Sequence, residues 1–370
     1  MNEPSVMLAA GGTGGHLFPA FALAQELNRR GVPVDLVTDM RGDRYGTGFP
    51  ARHIYQVTSA TFGQLSPLAV ASTACTLARG IHSVWKLLDK VRPAAVVGFG
   101  GYSSFPPLLA AWLRRIPTAL HEQNAVLGRA NRLLARSVDV IATSFDSPHL
   151  LNGAAKAKVR MTGNPVRRAV IACSVRPYTA AEGSHPISVL VFGGSQGARF
   201  FSDTAPVALA LLPPDIKGRL EIVQQCRQED IERVRLAYAR YGLAAVLAPF
   251  FDNLPELMAA AHLVIARAGA STVAELAVLG RPSILVPLPH ALDNDQLHNA
   301  TWLAESGGAW CIQQSELTPE RMAREIERLC RNPSELARAA AAARARGRPD
   351  AVQRLADLVE KLIGRHGGAA

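Results

Sequence analysis

Three glycine-rich loops are the clearest chemical feature of this 370-residue sequence, and each follows a short apolar run. They are Gly11–Gly15, Gly100–Gly101 and Gly193–Gly197. Glycine lets backbone N–H groups approach a phosphate closely, and a helix that begins after the loop adds a favourable dipole. A tight strand-to-helix turn would explain any one of these loops alone. Neither outer loop fits GxGxxG cleanly, so the set predicts a nucleotide diphosphate ligand rather than a dinucleotide.

Two residues near these loops are candidates for a general base. His16 follows the first loop, and an imidazole titrates near neutral pH, which suits proton abstraction from a hydroxyl. Glu122 follows a predicted strand and is the rival candidate. A histidine that caps the following helix is the alternative interpretation of His16. The sequence leaves the choice between the two residues open.

A nucleotide diphosphate can act as the leaving group of a transfer reaction, and its departure requires positive charge or N–H dipoles. Arg167 and Ser195, with the amides of the third loop, could supply them, although an ordinary linker arginine is the alternative for Arg167. Glu275 lies one turn into a predicted helix and could accept both hydroxyls of a ribose. The alternative for Glu275 is a helix-start glutamate that the helix dipole favours.

The elements that would position these residues alternate between strands and helices. Predicted strands include Val6–Ala10, Val34–Thr38 and Ala94–Phe99 in the first half, and a fresh start at Ile187–Phe192 in the second. A helix is predicted from about Pro19. Strands separated by helices indicate parallel, doubly wound α/β sheets. We therefore expect two Rossmann-like domains facing across a cleft, over 1–166 and 167–348, with a helix at about 349–370 packing back on the first.

Composition and charge narrow the class of protein. Charged residues make up 19% of the chain, which is typical of a globular protein, and no apolar run is long enough to span a membrane. We expect no signal peptide, because the apolar run at Val6–Ala10 is too short. Five scattered cysteines without CxxC spacing favour a reducing cytoplasm. Residues 1–166 hold 17 Lys and Arg against 9 Asp and Glu, so most of the net charge of +10 lies in the first half.

Six motifs occur in a characteristic order and together closely resemble the MurG family of GT-B type glycosyltransferases. They are Gly11–His16, Gly100–Tyr102, His121–Asn124, Gly163–Arg167, Gly193–Ala198 and Arg267–Glu275. The resemblance implies inverting transfer of N-acetylglucosamine from UDP-N-acetylglucosamine to the muramoyl C4 hydroxyl of undecaprenyl-diphospho-N-acetylmuramoyl-pentapeptide (lipid I), which gives lipid II for peptidoglycan synthesis. The nearest alternative is another GT-B type UDP-sugar transferase that acts on a lipid or secondary-metabolite acceptor.

The resemblance also assigns roles to individual residues. It implies that the N-terminal half binds the acceptor and the C-terminal half binds the donor. Besides His16 and Glu122 as base candidates, it implies substrate binding by Thr13, Gly14, Gly15, Asn124, Arg167, Ser195, Phe251, Ala270, Ser271, Thr272, Val273, Ala274, Glu275 and Gln296. It implies no cofactor and no metal, so we interpret the DxD pattern at Asp293–Asp295 as a loop turn.

The acceptor's polyprenyl tail lies in a bilayer, so the resemblance implies a peripheral enzyme on the cytoplasmic face of the cell membrane. Leu65–Lys90 carries Trp85 among basic residues, and Trp112 lies near Arg114 and Arg115. An apolar, cation-rimmed face suits an anionic membrane, although a core-packing helix is the alternative. A nucleic-acid partner is not expected, because no recognisable binding module is present. Enzymes of cell division and cell-wall synthesis are the protein partners that the resemblance implies.

Overall fold

The computed structural model describes residues 5–11, 14–39, 48–57, 67–194 and 197–367, with side chains throughout except at 67–74 and 365–367. The chain divides into two compact units. The first comprises Met1–Arg167 and Pro349–Ala370, and the second comprises Arg168–Arg348. The second unit is therefore inserted, in chain order, into the first.

Strands and helices alternate along the described residues. The strands are β1 (Val6–Ala9), β2 (Val34–Thr38), β3 (His53–Gln56), β4 (Ala95–Gly98), β5 (Thr118–Glu122), β6 (Val140–Thr143), β7 (Val159–Met161), β8 (Ile187–Phe192), β9 (Leu220–Gln225), β10 (Ala245–Ala248), β11 (Leu263–Ala266), β12 (Ser283–Leu285) and β13 (Ala309–Cys311). The helices are α1 (Gly14–Arg29), α2 (Pro67–Val91), α3 (Phe105–Leu113), α4 (Arg129–Leu134), α5 (Arg168–Cys173), α6 (Arg199–Ala210), α7 (Pro214–Lys217), α8 (Ile231–Arg240), α9 (Leu254–Ala260), α10 (Ala270–Leu279), α11 (Asp295–Glu305), α12 (Pro319–Cys330), α13 (Pro333–Arg346) and α14 (Ala351–Gly367).

The first unit is built on a parallel sheet whose described strands run in the order β3-β2-β1-β4-β5-β6-β7. Successive residues of a strand point to opposite faces, so both faces of β1 must be covered by helices. Val6 and Leu8 pack in one buried cluster with residues of α1 and α14. Met7 packs in another, with residues of α2, α3 and α4. The predicted doubly wound arrangement is confirmed for this sheet.

Helix α14 is fastened to the first unit by apolar packing and by charge. Its residues Leu355 and Val359 are buried in the core beside β1. Arg30, at the end of α1, donates hydrogen bonds to Asp357 at 2.6 Å and to Glu360 at 2.9 Å. The apolar packing stabilises this contact more than the exposed ion pairs do, because solvent screens the latter.

The second unit repeats the plan with strand order β10-β9-β8-β11-β12-β13, again parallel. Val189 and Val191 of β8 pack with Phe201 of α6 in the buried core of this unit. In each sheet the strand order reverses beside the strand that precedes an outer glycine loop, β1 or β8. Ligands of doubly wound sheets bind at the carboxyl ends of the strands flanking such a reversal.

One expectation about the elements is wrong, and three strands were not predicted. Helix α1 begins at Gly14 rather than near Pro19, which lies inside the helix. Pro19 lies in the second turn of α1, where it removes one intrahelical hydrogen bond. In addition, β3, β7 and β13 do not appear among the predicted strands, and each lies at the edge of its sheet.

Candidate active site

His16 lies in the first turn of α1, directly after the loop that follows β1. Its Nδ1 lies 3.0 Å from Oε1 of Gln123. Nε2 of Gln123 lies 2.9 Å from Nδ1 of His121 and 3.2 Å from the carbonyl oxygen of the same residue. Nε2 of His121 lies 3.1 Å from the carbonyl oxygen of Gly163. Three strand-end motifs are thereby joined in one hydrogen-bonded series.

Glu122, the rival base candidate, is held on all sides. Its side chain is 1% exposed at the end of β5. Oε1 accepts a hydrogen bond from the backbone N–H of Asn124 at 3.0 Å. Oε2 accepts from the backbone N–H of Gly128 at 2.8 Å and from Nδ2 of Asn131 at 2.7 Å. Burial raises the pKa of Glu122 above its ordinary value, and these hydrogen bonds oppose the rise. Its carboxylate therefore organises the loop from Asn124 to Asn131.

The loop after β4 lies against the His16 ring and requires glycine. Gly100 and Gly101 have φ values of +85° and +70°. A Cβ on Gly101 would lie 3.5 Å from Nε2 of His16, and one on Gly100 would lie 3.4 Å from Cε1. Gly11 is likewise crowded, since a Cβ there would lie 2.9 Å from a carboxylate oxygen of Asp39. These glycines keep the Nε2 edge of His16 clear of side chains from that loop.

Arg167, the last residue of the first unit's main segment, lies beside the start of α1. Its guanidinium carbon is 5.6 Å from the ring centroid of Phe18. Gly14 approaches the same ring closely, since a Cβ there would lie 2.9 Å from Phe18. Helix α1 has no acidic residue in its first turn. This arrangement places positive charge and a helix N-terminus together, which favours an anionic ligand.

In the second unit, the glycine loop after β8 folds tightly on itself. A Cβ on Gly193 would lie 2.3 Å from the backbone nitrogen of Ala198, so only glycine fits. Gln225, at the end of β9, accepts a hydrogen bond from the N–H of Gly193 and donates one to the carbonyl oxygen of Pro249, each at 3.1 Å. Gln225 thereby couples this loop to the segment that carries the half-buried Phe251. Sequence reasoning missed Gln225, because no motif marks it.

Helix α10 begins at Ala270 after an extended Gly269, and this is the predicted nucleotide segment. Ser271 has a buried Oγ that finds no hydrogen-bond partner among the described residues. Glu275 is 5% exposed in the second turn. Val273 is fully buried in the core, so it offers a ligand only its backbone. Thr272 and Ala274 are partly exposed on the same stretch.

The loop before α11 adopts an uncommon conformation. His290, Asp293 and Asn294 have φ values of +58°, +52° and +54°. Such non-glycine residues cluster where a binding site constrains the backbone. Oε1 of Gln296 accepts a hydrogen bond from the N–H of Leu288 at 3.0 Å, which ties Gln296 to the segment after β12. The Asp293–Asp295 segment forms a short turn leading into α11.

Arg267, the first residue of the Arg267–Glu275 motif, forms its hydrogen bonds within the second unit. Its guanidinium donates to the carbonyl oxygens of Val286 and Pro287 at 3.2 and 3.1 Å, and to Oε1 of Gln314 at 2.6 Å. Burial lowers its pKa to about 10. Arg267 therefore braces the loop after β12.

Comparison with known proteins adds independent findings. Residues 6–143 match the glycosyltransferase family 28 N-terminal domain, and residues 188–355 match the C-terminal domain. A protein of Mesorhizobium japonicum is 52% identical over 357 residues, which is 96% of this chain and 95% of that protein. One of Methylobacterium sp. is 53% identical over 358 residues, 96% of each. Both are described as UDP-N-acetylglucosamine--N-acetylmuramyl-(pentapeptide) pyrophosphoryl-undecaprenol N-acetylglucosamine transferase. The crystal structure of Acinetobacter baumannii MurG matches with a TM-score of 0.79 at 32% identity, covering 97% of this chain and 99% of that one.

The chain belongs to the MurG family. The GT-B fold class predicted from the motifs is thereby confirmed. In this MurG-family chain, His16, Gly14, Gly15, Glu122, Asn124 and Arg167 lie in the first unit, and the remaining described candidates lie in the second. Thr13 and Ser195 lie outside the described residues. Gln123 belongs to the His121–Asn124 motif, but sequence reasoning assigned it no role. Its position between Glu122 and Asn124, which are both candidates, is the signal that could have identified it.

Proposed function

We propose that this MurG-family glycosyltransferase moves N-acetylglucosamine from UDP-N-acetylglucosamine to the C4 hydroxyl of the muramoyl residue of lipid I, forming lipid II. Similarity over 96% of the chain to transferases of that description carries the proposal. The reaction inverts the anomeric carbon. The acceptor oxygen forms a bond to C1 of the sugar as the bond to UDP breaks, UDP leaves with the electron pair, and the acceptor proton passes to a base.

We assign the base to His16. A base needs a lone pair that the acceptor hydroxyl can reach, and the half-buried His16 has its Nε2 edge beside two glycines. Both carboxylate oxygens of Glu122 are occupied by donors from its own loop. Glu122 acts instead by shaping the segment that carries Asn124. Arg167 and the N-terminus of α1, with Gly14 and Gly15, bind the diphosphate of the acceptor.

The second unit holds the donor. The start of α10 offers the backbone N–H groups of its first turn, at Ala270–Thr272, and the Ser271 hydroxyl. Glu275 accepts the ribose hydroxyls, and Phe251 packs beside the nucleoside. Gln296 donates its amide to the sugar hydroxyls. Ser195, with its loop, stabilises the departing diphosphate.

The enzyme works at the cytoplasmic face of the membrane through a patch on the first unit. Trp85 of α2 and Trp112 of α3 are 38% and 45% exposed. The guanidinium of Arg114 lies 4.8 Å from the centroid of the Trp85 ring. Tryptophan with flanking cations suits the interface of an anionic bilayer. Leu77, Val84 and Leu88 of the same helix are buried, so they stabilise the fold and not the membrane contact. Among the described residues, no helix has the length and apolar character to cross a bilayer.

Vesicle cosedimentation tests the patch. Trp85→Ala combined with Arg79→Gln, Lys86→Gln and Lys90→Gln should abolish salt-sensitive binding to anionic vesicles. The control combines Arg235→Gln, Arg240→Gln and Arg338→Gln, which removes equal charge from exposed positions of the second unit. Equal binding by both variants would contradict the membrane proposal.

UDP release with a short-chain lipid I analogue tests the activity. We expect acceptor-dependent release from UDP-N-acetylglucosamine and at least about 10-fold less from UDP-glucose, since one polar group in a matched site commonly discriminates by more than that. His16→Ala should lower kcat by about 10²- to 10⁴-fold, the usual contribution of a general base. His185→Ala, at an exposed loop position, is the control. Absence of acceptor-dependent release would overturn the proposed function, and near-full turnover by His16→Ala would remove His16 as the base.

A further inference from the structure

The series His16–Gln123–His121 is anchored at the His121 end by two groups whose hydrogen-bonding role is fixed. The carbonyl oxygens of Gly163 and His121 can only accept hydrogen bonds. Nε2 of His121 therefore carries the proton that it donates to Gly163, and the Gln123 side-chain nitrogen, not its oxygen, faces the His121 carbonyl. The orientation of the amide follows from this second contact.

The positions of the other protons in the series follow from these two assignments. The second N–H of the Gln123 amide points to Nδ1 of His121 at 2.9 Å, so that nitrogen must hold a lone pair. His121 is thus a neutral imidazole, and burial lowers its pKa to about 4, which agrees. Oε1 of Gln123 can only accept, so Nδ1 of His16 must donate to it at 3.0 Å. In neutral His16 the lone pair is then on Nε2.

We propose that Gln123 is a positioning residue that holds His16 in the Nδ1–H tautomer and so presents Nε2 to the acceptor hydroxyl. This inference rests on the proposed function. The histidine's second ring nitrogen, through the hydrogen bond that it makes, sets which nitrogen can act as the base. The Nε2 edge is also the one beside Gly101, whose lack of a Cβ keeps it clear.

The series also limits rotation of the His16 ring. Gln123 is 1% exposed, and its amide is held by three contacts to His16 and His121. If the amide rotated by 180°, its oxygen would face the carbonyl oxygen of His121, and neither oxygen can donate a hydrogen bond. A buried amide without hydrogen-bond partners is energetically unfavourable, so the amide keeps this orientation. The tautomer of His16 is therefore dictated by the backbone carbonyls of two buried residues, His121 and Gly163.

NMR of the full chain labelled with ¹⁵N-histidine tests the proposal directly, with the His16 resonances identified from His16→Ala. The unsubstituted protein should show neutral His16 protonated at Nδ1. Gln123→Met keeps the length of the side chain but offers His16 no acceptor, and it should shift neutral His16 towards the Nε2–H form. Gln123→Glu keeps an oxygen towards Nδ1 of His16 and should retain the Nδ1–H form, with its other oxygen protonated and donating towards His121. Ser144→Ala is the control, because it removes a different buried hydrogen bond, to the Glu122 carbonyl.

Turnover with the lipid I analogue completes the test. Gln123→Met should lower kcat by about 10- to 100-fold, part of the contribution of a general base, and leave the KM for UDP-N-acetylglucosamine unchanged. Gln123→Glu should retain more of kcat than Gln123→Met, and Ser144→Ala should retain all of it. An unchanged His16 spectrum, or an unchanged kcat, in Gln123→Met would overturn the proposal. Lack of turnover by the unsubstituted protein would instead refute the proposed function, and the spectra would still decide the tautomer.

Discussion

Acid should destabilise the first unit through one buried histidine. The pKa of His121 is lowered from 6.5 to about 4 by burial. Between these values the unfolded chain binds a proton that the folded protein excludes, so the free energy of unfolding falls as the pH falls. A pKa of about 4 in place of 6.5 corresponds to about 3 kcal/mol in total, of which about 2 kcal/mol should be lost between pH 7 and pH 5.

Urea unfolding followed by circular dichroism at pH 7, 6 and 5 measures this loss. His121→Gln retains an N–H for the Gly163 carbonyl but cannot titrate, so the unsubstituted protein should lose about 2 kcal/mol more than this variant by pH 5. Other groups titrate in both proteins, and the difference isolates His121. His82→Gln, at an exposed position of α2, is the control and should follow the unsubstituted protein. Parallel pH dependences of the His121→Gln and unsubstituted proteins would refute the reasoning.

Three further substitutions probe the two sites. Gly101→Ala should lower stability by about 1–2 kcal/mol because of its left-handed backbone. It should also lower kcat at least 10-fold, because the methyl group would fill the space beside Nε2 of His16 that the acceptor hydroxyl needs. Gly31→Ala, with φ +79° and open space, should carry only the stability cost in a paired unfolding and turnover assay. Glu122→Gln should cost about 1–3 kcal/mol in unfolding, because an NH₂ group would face a backbone donor, and a kcat loss at unchanged stability would instead favour Glu122 as the base. Gln225→Met should raise the KM for UDP-N-acetylglucosamine several-fold in steady-state kinetics by freeing the glycine loop, and an unchanged KM would contradict that bracing role.

The central strands could be predicted from sequence because they are buried on both faces. β1 and β8 are almost uninterrupted apolar runs, the pattern of an interior parallel strand. The edge strand β3, His53–Gln56, has mostly exposed side chains and therefore lacks that pattern. The start of α1 could not be predicted for another reason. Gly14 and Gly15 have low helix propensity, so the sequence does not predict that the helix begins there.

In the candidate site, too, some features could be predicted from the sequence and others could not. Motifs pointed to His16, which follows a glycine loop, and to Glu122, which lies at the carboxyl end of a strand. Choosing between them required their partners, and these are distant in sequence: Gln123 is 107 residues from His16, and Gly163 is 42 from His121. Such pairings depend on strand order in the sheet, which residue spacing does not encode.

The return of α14 to the first unit has a consequence for synthesis on the ribosome. Leu355, Val359 and Leu362 complete the core beside β1, but some 180 residues of the second unit are translated before them. The second unit is contiguous and can fold while the first still exposes the face that α14 will cover. Chains usually fold in the order in which their domains emerge. Here the domain that begins first is completed last, so its uncovered apolar face is the surface that chaperones would be expected to guard in the nascent chain.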